Sequence, residues 1–200
     1  MQKQILYLAF LLCLIASLAG AQTQTSAQPS HTEIKLFEPW NPHGLSIGIA
    51  VTEKLTGNCF AESAASPSRS DAWRCSAGNL IQDPCYMQIM GDQKQLACAR
   101  DPWSANVNLL TLESTPPESK RKEVRRDVSL PWALELGDGS RCTLMTGGTF
   151  AAAGMRANYG CIGGRTLFGD VDKSQPVWRI FSMTDKSIAL TQSVIVVAWY

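Results

Sequence analysis

Histidine is almost missing from this chain: His31 and His43 are the only two. His31 lies in a Gln-, Thr-, Ser- and Pro-rich stretch, and His43 lies in the turn-like "NPHGL". A Ser-His-acid triad needs a positioned imidazole as its base, so that chemistry has one poor candidate, His43. Zinc chemistry has less. No Cys-x-x-Cys occurs, and both histidines are far in sequence from every mature cysteine. Structural zinc sites pair their ligands two to four residues apart. A phosphate loop is also missing, because "TGGTFAAAG" is glycine-rich but has no lysine. "DGSRCTLM" is a turn and not a calcium loop. No cofactor and no metal is expected.

Excess charge of either sign is missing as well. The first residues read as a targeting segment: Lys3, then the apolar "ILYLAFLLCLIASLAG", then small-x-small at Ala19-Gly20-Ala21. Cleavage is expected between Ala21 and Gln22. The apolar run is barely long enough to span a bilayer, and polar "QTQTSAQPS" follows it. Cys13 sits inside the run after two leucines, which is not a lipoprotein site. Removing residues 1–21 takes away one lysine and leaves seventeen basic against seventeen acidic residues. A neutral chain argues against nucleic acid and anionic membrane, since both select for a basic field. The run "STPPESKRKEVRRDVS" is basic, but Glu118, Glu123 and Asp127 dilute it, and it reads as an exposed linker over 114–129.

Six cysteines are present after the cleavage site: Cys59, Cys75, Cys85, Cys98, Cys142 and Cys161. An even number in an exported chain reads as a disulfide framework, which implies the periplasm or the cell exterior. Sequence alone cannot choose the connectivity. Short loops cost least to close, which favours Cys59–Cys75, Cys85–Cys98 and Cys142–Cys161. Each bridge would stabilise the fold by about 3 kcal/mol in the chain-entropy model.

No helical pattern extends over three turns. Short β-branched or alternating runs recur instead, with turn signals every eight to twelve residues. "LSIGIAVTEKL", "GNCFAES", "AWRCSA", "NLIQ", "QLACAR" and "NVNLLTLE" are strand candidates in the first half. Asp83-Pro84 reads as a break. In the second half "PWALEL" precedes Asp138-Gly139, a strong hairpin signal. "ANYGCIGGRTLFGD" reads as a hairpin turning at Gly163-Gly164, and "PVWRIFSM" and "SIALTQSVIVVAWY" close the chain as strands. The closing strand looks rather like the last strand of an outer-membrane barrel, but ten-residue strands are too few for one. The expected fold is all-β: a small sandwich or barrel-like domain of short antiparallel strands. We divide it into a flexible leader over 22–43, a first β half over 44–113, the linker over 114–129 and a second β half over 130–200.

The halves echo one another. Trp73, Cys75, Gly78 and Ile81 fall on the spacing of Tyr159, Cys161, Gly164 and Leu167. Gly57 precedes Cys59 as Gly139 precedes Cys142. These are the positions a disulfide-closed hairpin needs, and they suggest two similar disulfide-braced halves. "GNCF…DAWRC…DPC", with the later "C…G…Y-x-C-x-G-G", resembles a pattern in exported bacterial proteins of unknown function. The resemblance covers about residues 57–103 and 139–178. It implies export and no particular activity.

Arg74 has Gly160 at its echo position, which leaves Arg74 free for function. Trp103, in the loop "ARDPWS", is the best exposed stacking platform for a sugar or a peptide, while Trp73, Trp132 and Trp178 read as core. Arg69 and Asp71 lie in "SAASPSRSD", and Asp71 is placed to pin that loop by pairing with an arginine. Asp71, Asp83, Asp101, Asp138 and Asp170 all stand at turns or strand ends, where aspartate is a good turn former. The leading reading is a non-catalytic envelope module that binds a glycan or another secreted protein, with no stable membrane span once residues 1–21 are removed. One alternative is a carboxylate-dependent hydrolase of a glycan, using two of these aspartates across a cleft. A second is a protease inhibitor presenting the 64–71 loop.

Overall fold

A computed structural model describes residues 29–119, 124–185 and 187–200. The targeting segment, the Ala21-Gln22 cleavage position, the start of the leader and residues 120–123 of the linker lie outside the described residues. No helix among the described residues is long and apolar enough to cross a membrane.

The molecule is all-β, built as two small closed barrels side by side. The first consists of β4 (Ala50–Glu62), β5 (Ala72–Ala77), β6 (Leu80–Met87), β7 (Gln95–Ala99) and β8 (Asn106–Leu112). Its strands pair in chain order, and a parallel β4–β8 pair closes the ring. The second barrel is the same meander with one more strand. β10 (Arg141–Leu144), β12 (Met155–Cys161), β13 (Arg165–Asp172), β14 (Arg179–Thr184) and β15 (Ser187–Trp199) pair in order, and β9 (Ala133–Leu136) bridges β15 to β10. The short β11 (Ala151–Ala152) rides on β12.

"AVTEKLTGNCFAE" forms one strand, not the two expected. It crosses the barrel from β8 to β5, pairing with β8 through Gly57 and with β5 from Asn58 onward. Gly57 permits this: a Cβ there would lie 2.0 Å from the Ser76 carbonyl oxygen. The echo glycine Gly139 does something else, sitting at φ +83° in the β9–β10 turn with open space around it. Asp83-Pro84 is not a break either. It is a cis peptide inside β6.

The disulfides join Cys59 to Cys75, Cys85 to Cys98, and Cys142 to Cys161, each between paired strands. Four of these cysteines pack with Trp73, Leu96, Leu110 and Leu112 to form the core of the first barrel. So small a barrel has little room for long side chains, and the sulfurs supply part of its apolar volume. Leu134, Leu136, Tyr159, Leu167, Ile180 and Ile195 fill the second barrel. The hairpin echo holds at Gly78 and Gly164, which turn at φ +56° and +81°. It fails at its last position: Leu167 is buried, while Ile81 is 60% exposed.

A third core lies between the barrels. Phe37, Tyr86 and Trp132 meet there with ring centroids 5.3 to 6.0 Å apart. Ala72, Ala97, Ala99 and Val107 from the outer face of the first barrel join them. The 22–43 leader is therefore corrected. From Thr32 on it is docked, because Phe37 and Thr32 are buried and β1 (Glu33–Lys35) pairs in parallel with β15. A second small sheet, β2 (Trp40–Asn41) with β3 (Gly44–Leu45), continues the wedge. The linker is anchored where it enters the second barrel. Lys173 Nζ donates to the carbonyls of Asp127 and Ser129 at 3.0 and 2.7 Å and to the Tyr200 hydroxyl at 2.9 Å.

Candidate functional site

The register of the first barrel leaves a gap. β6 pairs with β7 only from Cys85 onward, so Leu80–Gln82 pairs along the strand with β5 alone. A cleft of about 570 Å³ opens beside that unpaired edge, bounded by the start of β8 and the loop after β7. Gln82, Asn106 and Asn108 bring three side-chain amides to it, and Glu53, Arg100 and Asp101 bring charge. Asn108 Nδ2 donates to Gln82 Oε1 at 3.3 Å across the opening. Leu80 and Ile81, 54% and 60% exposed, form an apolar lip.

Two of the candidate aspartates, Asp83 and Asp101, share this cleft. Three of their four oxygens accept hydrogen bonds. The Ser63 hydroxyl and the Ala65 N–H donate to Asp83 Oδ1, and the Ala64 N–H donates to Oδ2. Burial pushes the Asp83 carboxyl above its ordinary value, against these hydrogen bonds and the charge of Arg74. Asp101 Oδ1 accepts the Ser104 N–H at 2.7 Å and shapes the loop. Asp138 lies elsewhere, paired with Arg165. Slight burial opposes its charge, but Ser140 and Arg165 outweigh that and hold its carboxyl below the usual range. Asp170 is exposed on β13 and does not line the cleft.

Arg69 and Asp71 meet as a bidentate pair, with Nε and Nη2 donating to the two carboxylate oxygens at 2.8 and 2.7 Å. Arg69 Nη1 donates to the Phe37 carbonyl at 3.0 Å, and the guanidinium stacks on Tyr86 at 4.9 Å. Burial works against the charge, yet Asp71 wins and raises the Arg69 pKa. The pair pins the 64–71 loop onto the docked N-terminal segment. Ala65 and Ser66 in the same loop, and Ser63 just before it, are buried, so the loop is folded in and Arg69 is not presented.

Arg74 is not left over. Trp73, Cys75 and Ala77 face the interior of the first barrel, and Arg74 alternates outward. Its Nη1 donates to the Thr146 carbonyl of the second barrel at 3.2 Å, and its Nε is buried without a partner among the described residues. Trp103 is half-buried beneath Arg141, whose guanidinium sits 5.5 Å from the ring centroid. That contact also crosses between the barrels, so Trp103 is not an open platform.

Sequence reasoning missed Gln82, Asn106 and Asn108. No local signal marks them, since they converge only through the barrel register. Among the described residues no group of three His, Cys, Asp or Glu is arranged to hold a metal ion.

Fold and cleft together define a disulfide-stabilised all-β module, and its three bridges fit an oxidising extracellular or periplasmic setting. Compared with known proteins, the chain matches no family model, no curated protein and no solved structure.

Proposed function

We propose that this is an exported, non-catalytic binding module of the bacterial envelope or cell exterior, and that its ligand is a glycan held in the cleft beside β6. One observation carries the reading: Gln82, Asn106 and Asn108 converge on a single cleft with Glu53 and Asp101 beside an apolar lip. Amides and carboxylates hydrogen-bond vicinal hydroxyls, and Leu80 and Ile81 suit the C–H face of a sugar ring. Export is supported by the targeting segment and the three bridges, and by the resemblance to exported bacterial proteins.

Binding is favoured over hydrolysis because Asp83, the raised carboxyl in the cleft, has both oxygens engaged by the 63–65 loop. A general acid needs its proton free to reach a leaving group. Inhibition loses its support for a similar reason, since the Arg69 side chain is turned into the protein.

The test is retention of the oxidised mature chain on immobilised envelope polysaccharide and peptidoglycan. Retention that falls at least about tenfold in the Asn106→Ala, Asn108→Ala double variant supports the proposal. Absence of retention on every glycan, or equal retention of the variant, rejects it.

A further inference from the structure

We propose that a second cleft, between the docked N-terminal segment and the β6–β7 hairpin, receives a lysine or arginine side chain from a partner polypeptide. This inference does not rest on the glycan cleft. The second cleft holds about 250 Å³. Pro39, Trp40 and Pro42 line one side, and Met87, Ile89 and Met90 line the other. The Trp40 indole is fixed, because its Nε1–H donates to the Tyr86 carbonyl at 2.7 Å. Ile89 and Met90 are 59% and 72% exposed and offer flanking apolar surface, methionine being the more adaptable.

The charges decide what fits. Arg69 and Asp71 also line the cleft, but they neutralise one another, and Arg69 has further partners in the Phe37 carbonyl and the Tyr86 ring. Asn41 uses both ends of its amide inside its own turn, donating to the Leu45 carbonyl and accepting the His43 N–H. Glu38 remains. It is an exposed carboxylate at the cleft that makes no ion pair among the described residues, although Arg69 feels its charge. Two carboxylates against one guanidinium leave the cleft net negative, and an apolar slot with a fixed tryptophan and that charge suits a long aliphatic stem with a cationic head. Gln88 is the one other amide at the cleft, too little to hold the several hydroxyls of a sugar, and an acidic side chain would meet Glu38.

The experiment pans a random heptapeptide phage library against the oxidised mature chain and against Glu38→Lys. Glu38 is exposed, so the variant keeps the fold, and Glu38→Gln serves as a second variant that preserves shape. Lysine or arginine enriched at one peptide position on the parent chain is expected. Binding of those peptides should fall at least about tenfold on Glu38→Lys. Peptides with that residue changed to glutamate should regain binding on Glu38→Lys. Selected peptides without a cationic residue, equal binding to parent and variants, or a cleft filled by a second copy of the chain would overturn the proposal.

Discussion

Reducing or deleting a single bridge should destabilise the fold by a calculable amount. The loops close over sequence separations of 16, 13 and 19 residues. The chain-entropy relation turns these lengths into about 3 kcal/mol each at 25 °C, nearly independent of which bridge is broken. The two bridges of the first barrel thus contribute about 6 kcal/mol, comparable with the whole stability of an ordinary domain. With a urea slope of about 2 kcal/mol/M, losing one bridge moves the unfolding midpoint by about 1.5 M. Cys59, Cys75, Cys85 and Cys98 are also 6% exposed or less, so Cys→Ala pairs remove packed sulfur as well as the cross-link. Paired substitution in the first barrel should therefore cost more than the cross-link alone, because packed sulfur is lost with it. Urea melts of the oxidised parent and the three Cys→Ala pairs make the comparison. A midpoint within about 0.3 M of the parent for either pair in the first barrel would refute the reasoning.

Trp132→Ala should cost about 3–5 kcal/mol in the same melts, because it empties the seam shared with Phe37 and Tyr86; a loss below about 1 kcal/mol would mean the barrels do not depend on it. Arg69→Ala should cost about 3–5 kcal/mol by leaving Asp71 unpaired at an 11%-exposed site. The Arg69→Ala, Asp71→Ala double variant should cost less than the sum of the two single changes, and simple additivity would count against a coupled pair. Gly57→Ala should block assembly of β4 against β5, read as loss of native near-ultraviolet dichroism, since its Cβ meets the Ser76 carbonyl at 2.0 Å. The Asp83 carboxyl keeps its proton to higher pH in the folded state than in the unfolded chain. The folded state thus binds more protons between the ordinary value and the raised one, and this group's contribution to stability is lost as pH rises through that window. The stability difference between the parent and Asp83→Asn should change with that sign across the window, and a flat difference would contradict it.

The bridges were legible in the sequence because their loops are local, and local closure is what spacing reports. The hairpin turns were legible too: Gly78 and Gly164 stand where a left-handed residue is required. The leader misled because its composition is polar while its few anchors, Phe37 and Trp40, are single residues with no period. Trp132 read as core and is buried, in the seam between the barrels, whose location no strand pattern encodes. Arg74 and Trp103 looked free because their partners, Thr146 and Arg141, come from the other barrel. Asn106 and Asn108 carried no signal at all. Asn108 reaches Gln82, and Asn106 joins the same cleft, only because the stagger of the barrel brings the start of β8 opposite the start of β6.

The central claim is that the cleft beside β6 is the glycan site. Backbone amide chemical shifts of the oxidised mature chain, followed by NMR during titration with solubilised envelope polysaccharide, test it most directly. The account predicts saturable shifts confined to Leu80–Asp83, Arg100–Asn108 and the adjoining Thr52 and Glu53. Shifts centred elsewhere, or none at any concentration, would contradict it.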